Sequence, residues 1–260
     1  MKAEDSTRLE RSTGMKQDSW TAFSYADEVP GFWDEARSNN YKKGNTRTDC
    51  DARSDRLYAQ MMEWLNGRTL PDGTILELTR KGRELVTADG IRLSGDNMVT
   101  RFTGRIPGIT DALEQKLGED WETFQQGIIR SGWRIGAEIL FPRHPNSLNG
   151  MRGFSWQIMD RFDLTLDCIR KFYDGIPSPL TWVLESDRAW FDHFLNFRGF
   201  VDFFLLNDWI DSSYQVIDQL GTGNVLPQTV KELEHWLFRM EELTDARCRR
   251  IEESVSSRLA

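Results

Sequence analysis

The sequence predicts an α+β fold, with short antiparallel strands in the N-terminal half and a helical C-terminal half. Three patterns carry that expectation. Strand-like runs alternate with turn residues between 70 and 100, WRIGAEILF (133–141) alternates cleanly, and helical periodicity dominates from residue 155 onward. Strands that precede helices, rather than alternating with them, build α+β layers.

Residues 1–18 are polar, charged and aperiodic, the pattern of a disordered tail. Order is expected to begin near Trp20, and the polar stretch from Tyr25 to Asp51 reads as an irregular covering segment. A helix follows, capped by Ser54, with Leu57, Met61, Trp64 and Leu65 on one face and Gly67 at its end. LPDG (70–73) is a turn, and TILELT, RELVTAD and GIRLSG read as short strands. Residues 110–129 are expected to be helical with a break near Gly118. In the run 133–141, Trp133, Ile135, Ala137, Ile139 and Phe141 share one strand face, and Arg134, Gly136, Glu138 and Leu140 the other. Helices are expected at 155–173, 187–197 and 199–210. The last opens on the capping-box pattern TVKE (229–232) and spans about 229–257, with a stripe of Leu233, Trp236, Leu237, Met240, Leu243 and Ile251 that needs a partner surface. No linker divides residues 19–260, which are read as a single α+β domain.

Composition narrows the function. Ten Trp and fifteen Phe point to a thick aromatic core. A net charge of −8 argues against nucleic acid as a partner, because phosphate binding needs a concentrated positive field. The basic run Arg247, Arg249, Arg250 is followed by Glu252 and Glu253 and reads as a solvated helix face. Cys50, Cys168 and Cys248 are widely spaced and odd in number, which suits reduced thiols in the cytoplasm. No apolar run is long enough to span a bilayer, and no membrane partner is expected. His144, His193 and His235 have no metal-ligand spacing, and no metal is expected. GTGNVL (221–226) lacks the third glycine of a dinucleotide loop and reads as a turn.

Chemistry concentrates in two stretches. On a helix drawn through 154–173, Asp160, Asp163 and Asp167 fall in one polar arc with Arg170 and Lys171, so exposed ion pairs account for them. Arg161 and Thr165 point instead into the apolar arc, and a guanidinium there needs a counter-charge. Asp202, on the face of Leu205, Leu206 and Trp209, is expected to pair with Arg161 or Arg198, and Arg161–Asp202 is the structural ion pair favoured; Glu138 is a second partner for Arg161. The loop FPRHPNSLNGMRGF (141–154) ends at Ser155, an expected N-cap, and carries Arg143, His144, Asn149 and Arg152 among glycines. Free N–H groups and an arginine fork at such a junction suit an anion, and Gly136 on the neighbouring strand would leave room for it.

These stretches also carry a resemblance. IGAEILFP (135–142), SLNGMRG (147–153), DRFDLTLDCIRKFY (160–173), SPL (178–180) and GFVDFFLLND (199–208) resemble an uncharacterised bacterial family, a domain of unknown function with signatures IGGxIxFP, SINxxRG, DRxDLTLECIRR and GYVDFFLLQD. The likeness covers roughly residues 20 to 215 and departs from the signatures at Ala137, Glu138, Asp167, Phe200 and Asn207. It implies a bacterial source and no catalytic residue or cofactor.

The expectation is a cytosolic protein that binds an anionic small molecule or nucleotide at 141–155, through Asn149, Arg152, Arg161 and Arg143. No motif decides whether it is an enzyme. The rival is a protein-interaction or defence and regulatory module that uses the C-terminal helix, as a homodimer or on another protein, without a small ligand.

Overall fold

The computed structural model describes residues 20–24, 54–82, 84–102 and 105–259. The tail expected at 1–18 and the turn-rich segment 25–51, with Cys50, lie outside those residues.

Helix α1 (Asp55–Leu65) forms as its pattern requires. The Ser54 hydroxyl accepts the Leu57 N–H at 3.0 Å, and Leu57, Met61, Trp64 and Leu65 are buried. Four strands follow: β1 (Leu78–Arg80), β2 (Leu85–Thr87), β3 (Arg92–Asn97) and β4 (Glu138–Pro142). They pair antiparallel in the order β1-β2-β3-β4. Helices α2 (Pro107–Leu117) and α3 (Trp121–Gly132) sit between β3 and β4, broken where Gly118 takes a φ of 56°.

The strand expected over 133–141 begins late. Ile135–Ala137 is a 3-10 turn, and β4 is buried at every position, so no polar face exists. Gly136 explains the turn. A Cβ there would lie 2.6 Å from the Cys248 sulfur and closer still to the Thr244 carbonyl, so the C-terminal helix presses onto bare backbone. The space expected there for a ligand is filled by that helix.

The second half holds α4 (Leu148–Phe154), α5 (Phe162–Tyr173), α6 (Thr181–Ser186), α7 (Arg188–Asp192), α8 (Phe197–Phe204) and α9 (Val230–Leu259). The single helix expected at 155–173 is cut short. Ser155 closes α4 through its N–H to the Met151 carbonyl at 3.1 Å, and Met159 and Asp160 take left-handed φ values of 48° and 68° before α5 begins. The next two helices are likewise shorter than expected, because Leu195 and Leu205 are left-handed. At the start of α9, the Thr229 hydroxyl accepts the Glu232 N–H at 3.2 Å, and the Glu232 carboxylate reaches the Gln228 N–H at 2.7 Å. This is a capping box with its return bond one residue early.

The stripe of α9 needs no second molecule. Leu233, Trp236, Leu237, Met240, Leu243 and Ile251 are buried within the chain, where α9 packs on α1, α2, α3 and the 135–137 turn. The free docking face expected there is covered. Buried residues from Leu57 to Val255 belong to one continuous core.

Gly136→Ala should therefore destabilise the protein by about 3 kcal/mol or more, as overpacking against backbone cannot be relieved by a rotamer change. Urea denaturation measures it; a loss under about 1 kcal/mol would contradict the close approach.

Candidate functional site

The junction from β4 to α5 was the expected anion site, and the structure fills it with carboxylates. Arg152, on α4, is fully buried. Its Nη1 donates to Asp96 Oδ2 at 2.6 Å and to the Asn97 carbonyl at 3.1 Å, both on β3. Its Nη2 donates to the Asp160 carbonyl at 2.7 Å, and its Nε lies 3.3 Å from Asp160 Oδ1. The left-handed pair 159–160 is held by this arginine and by the Thr100 hydroxyl, which donates to the Asp160 carbonyl. Burial alone would lower the Arg152 pKa, but Asp96 and Asp160 hold it above its ordinary value.

Arg161 is also fully buried, as expected. It does not lie within the helix; it is the extended residue before α5. Its Nε donates to Asp163 Oδ1 at 3.0 Å, and its Nη2 binds the other oxygen of Asp163 and Asp218 Oδ1, the latter at 2.6 Å. The Asn224 carbonyl accepts from Nη1, and the Trp236 ring packs 5.0 Å from the guanidinium carbon. Asp163 completes its own shell with the N–H groups of Leu164 and Gln219, at 3.0 and 2.9 Å. Burial opposes the Arg161 charge, but Asp163 and Asp218 outweigh it and raise its pKa. Asp218 shifts the other way: burial would raise it, but the Gly223 N–H and Arg161 hold it below its ordinary 3.8.

The Arg161–Asp202 pair does not form. Helix α8 stops at Phe204, so the face that would have carried Asp202 inward with Leu206 and Trp209 is broken at Leu205. Asp202 is exposed, with Arg198 Nε at 3.6 Å and the Tyr214 hydroxyl at 3.0 Å. Glu138 does not reach Arg161 either; its carboxylate accepts the Asn97 amide at 2.8 Å. Of the three aspartates, Asp167 pairs with Arg170 and Lys171 at 2.9 and 2.7 Å as expected, whereas Asp163 and Asp160 face the two arginines.

The remaining loop residues diverge. Arg143 is exposed, 3.4 Å from Glu84. Asn149 lies in α4, and its side chain lies outside what is described. His144 meets the buried Asp187 at 2.6 Å. The expected ligand set is therefore not one site: two members are enclosed by acids, and the exposed Arg143 lies beside Glu84.

Sequence reading missed four participants. Asp218 and the 221–226 turn, read only as a turn, wrap Arg161. Arg247, read as solvated, is 1% exposed and donates to the carbonyls of Phe204, Gly136 and Glu138 at 2.9, 3.0 and 2.7 Å. Its spacing from Met240, Leu243 and Ile251 along the helix was the available signal. Arg101 lines a half-open cleft between α2, α3 and α9. Leu113, Phe124, Ile128, Ile129, Leu233 and Leu237 form its apolar wall, with Thr110, Trp121 and Gln125. The Arg101 guanidinium stacks 4.9 Å from the Trp133 ring. A Cβ on Gly132 would fall 2.7 Å from Arg101 Nη1, so glycine makes way for it.

Arg161→Met should cost about 3–5 kcal/mol, since it strands the buried Asp163, while Asp202→Ala should cost under about 0.5 kcal/mol. Denaturant titration of both variants checks the assignment. Because Asp218 has a depressed folded pKa, its contribution is complete above pH 3.8 and is lost as pH falls through the depressed value. Asp218→Asn should flatten that part of the acid-unfolding curve.

A family model described as a family of unknown function (DUF6994) matches residues 35–251. No curated protein and no solved structure matches the chain.

Proposed function

The chain belongs to this family of unknown function, and from its own residues we propose that it binds a small molecule with an apolar body and one anionic group in the α2–α3–α9 cleft. The observation that carries this reading is an apolar cleft with a guanidinium in its wall. Ligand pockets are mostly apolar, with a few polar groups that fix orientation. Arg101 supplies the charge, steadied by Trp133, and the leucines, isoleucines and phenylalanine receive the hydrocarbon or ring. The cleft is half open, so part of the ligand stays in water.

A nucleotide at 141–155 is a poorer fit. Its phosphates would have to displace Asp96, Asp160, Asp163 or Asp218 from arginines that these acids already neutralise. The interaction-module reading loses the apolar stripe that motivated it, since the chain itself covers that stripe. A cytosolic setting is part of the proposal, supported by Cys168 and Cys248, both buried free thiols. The continuity of the core supports treating 19–260 as a single domain.

Thermal denaturation with medium-chain fatty acids and aryl carboxylates, against the matching alcohols, tests the reading. Carboxylates should raise the midpoint more than alcohols. Arg101→Gln should weaken the carboxylates about tenfold and leave the alcohols unchanged. Gln125→Trp, at a half-buried wall position, should block both. A panel that leaves the midpoint unmoved, or a Gln125→Trp protein that binds like the parent, would overturn it.

A further inference from the structure

We infer that Arg68, Arg247 and Trp64 form a second receiving site, for a small oxyanion of phosphate or sulfate size, at the end of α1. Three donors there have no acceptor among the described residues: Arg68 Nη1, Arg247 Nη2 and Trp64 Nε1, each screened from solvent. Both guanidiniums gather on one indole. The Arg247 carbon lies 5.2 Å from the Trp64 ring centre and the Arg68 carbon 5.7 Å, and Arg68 also stacks 4.3 Å over Phe203.

The other buried arginines differ from this pair. Arg134, Arg152 and Arg161 each hold at least one carboxylate directly. Arg247 holds three backbone carbonyls and the Met98 sulfur but no carboxylate, and Arg68 makes no ion pair among the described residues. Neighbouring charges worsen the imbalance. Arg250 is occupied by Asp208, at 2.5 and 2.6 Å, and Arg258 caps α1 through the carbonyls of Glu63 and Trp64, both at 2.7 Å. Burial, then repulsion from Arg258, pushes Arg68 down to about 10; burial, opposed by Glu138 and aided by Arg250 and Arg68, pushes Arg247 down to about 9. Glu138, the acid that acts on Arg247 through space, gives that arginine its backbone carbonyl and no carboxylate contact.

Like charges that are buried together without a directly paired acid repel, and donors without acceptors lose their hydration. An oxyanion answers both deficits at once: its charge offsets the guanidiniums, and its oxygens accept the orphaned N–H groups. Water could fill the hydrogen bonds but not cancel the charge. Arg68 is half-buried, so the approach lies on its side, whereas Arg247 forms the floor. The ligand chemistry and the residues are separate from those of the apolar cleft.

The test is phosphate titration of the full chain at constant ionic strength, read by thermal denaturation and by calorimetry, with chloride as the balancing anion. Phosphate and sulfate should raise the midpoint to a plateau, and chloride should not. Arg68→Leu should abolish the plateau; in phosphate-free buffer it should melt at or above the parent, because one of the repelling charges is gone. Trp64→Phe, which removes the indole donor and keeps a ring, should weaken phosphate several-fold. The inference is overturned by an equal rise in chloride, by an Arg68→Leu protein that keeps the phosphate response, or by one that melts lower without phosphate.

Discussion

A guanidinium cannot leave water without oxygens to replace it, and among the described residues four do so and organise the fold. Arg134, Arg152, Arg161 and Arg247 are all at most 4% exposed. Each ties together segments that are remote in sequence. Arg152 joins α4 to β3 and to the turn before α5, and Arg161 joins that turn to Asp218 and the 221–226 loop. Arg247 carries α9 onto the backbone of 136–138 and the end of α8, and Arg134 meets Asp245 on the same helix. Buried ion pairs add little net stability over apolar packing, but breaking one is costly. Their work here is to fix which loop lies on which helix.

That constraint decides where an anion can bind. Arginine density in the sequence pointed to 141–161, but an arginine enclosed by acids presents no net charge to a ligand. Arg152 has Asp96 and Asp160, and Arg161 has Asp163 and Asp218. Arg101 sits in an apolar wall, and Arg247 holds backbone carbonyls rather than a carboxylate. On the readings proposed above, these are the arginines that meet a ligand.

Much of the fold was legible because it obeys local rules. The Ser54 cap, the α1 face, the break at Gly118, the TVKE start of α9 and its buried stripe all rest on period and capping. The burial of Arg161 was expected too, although from a helical wheel that does not apply, because Arg161 is the extended residue before α5. The rest required knowing where helices stop. Met159, Asp160 and Leu205 are non-glycine residues in left-handed conformations, which no local propensity announces. Each one re-phases the residues after it, so the helical wheel misplaced Asp163 and wrongly set Asp202 on a face with Leu206 and Trp209. Gly136 misled for a related reason. An absent side chain signals close approach, and only the tertiary structure shows that the approaching body is a helix rather than a ligand.

The network and the cleft meet at two consecutive residues, which ties the buried charges to the site proposed for a ligand. The Thr100 carbonyl accepts the Trp236 indole N–H at 2.6 Å, while its hydroxyl donates to the Asp160 carbonyl that Arg152 also binds. Arg101 is the next residue, so its backbone is fixed by the same bonds that close the 159–160 turn. One stretch of α9 serves both regions: Leu233 and Leu237 line the cleft, and Trp236 between them packs on Arg161. Arg239, further along, holds the Gln219 side chain at 2.8 Å, and the Gln219 N–H binds Asp163. In the role proposed for it, Arg101 is selective only if its position is held to within a fraction of an ångström. Arg101 lies in a segment with few regular backbone bonds of its own, and the ion pairs behind it contribute to that positioning.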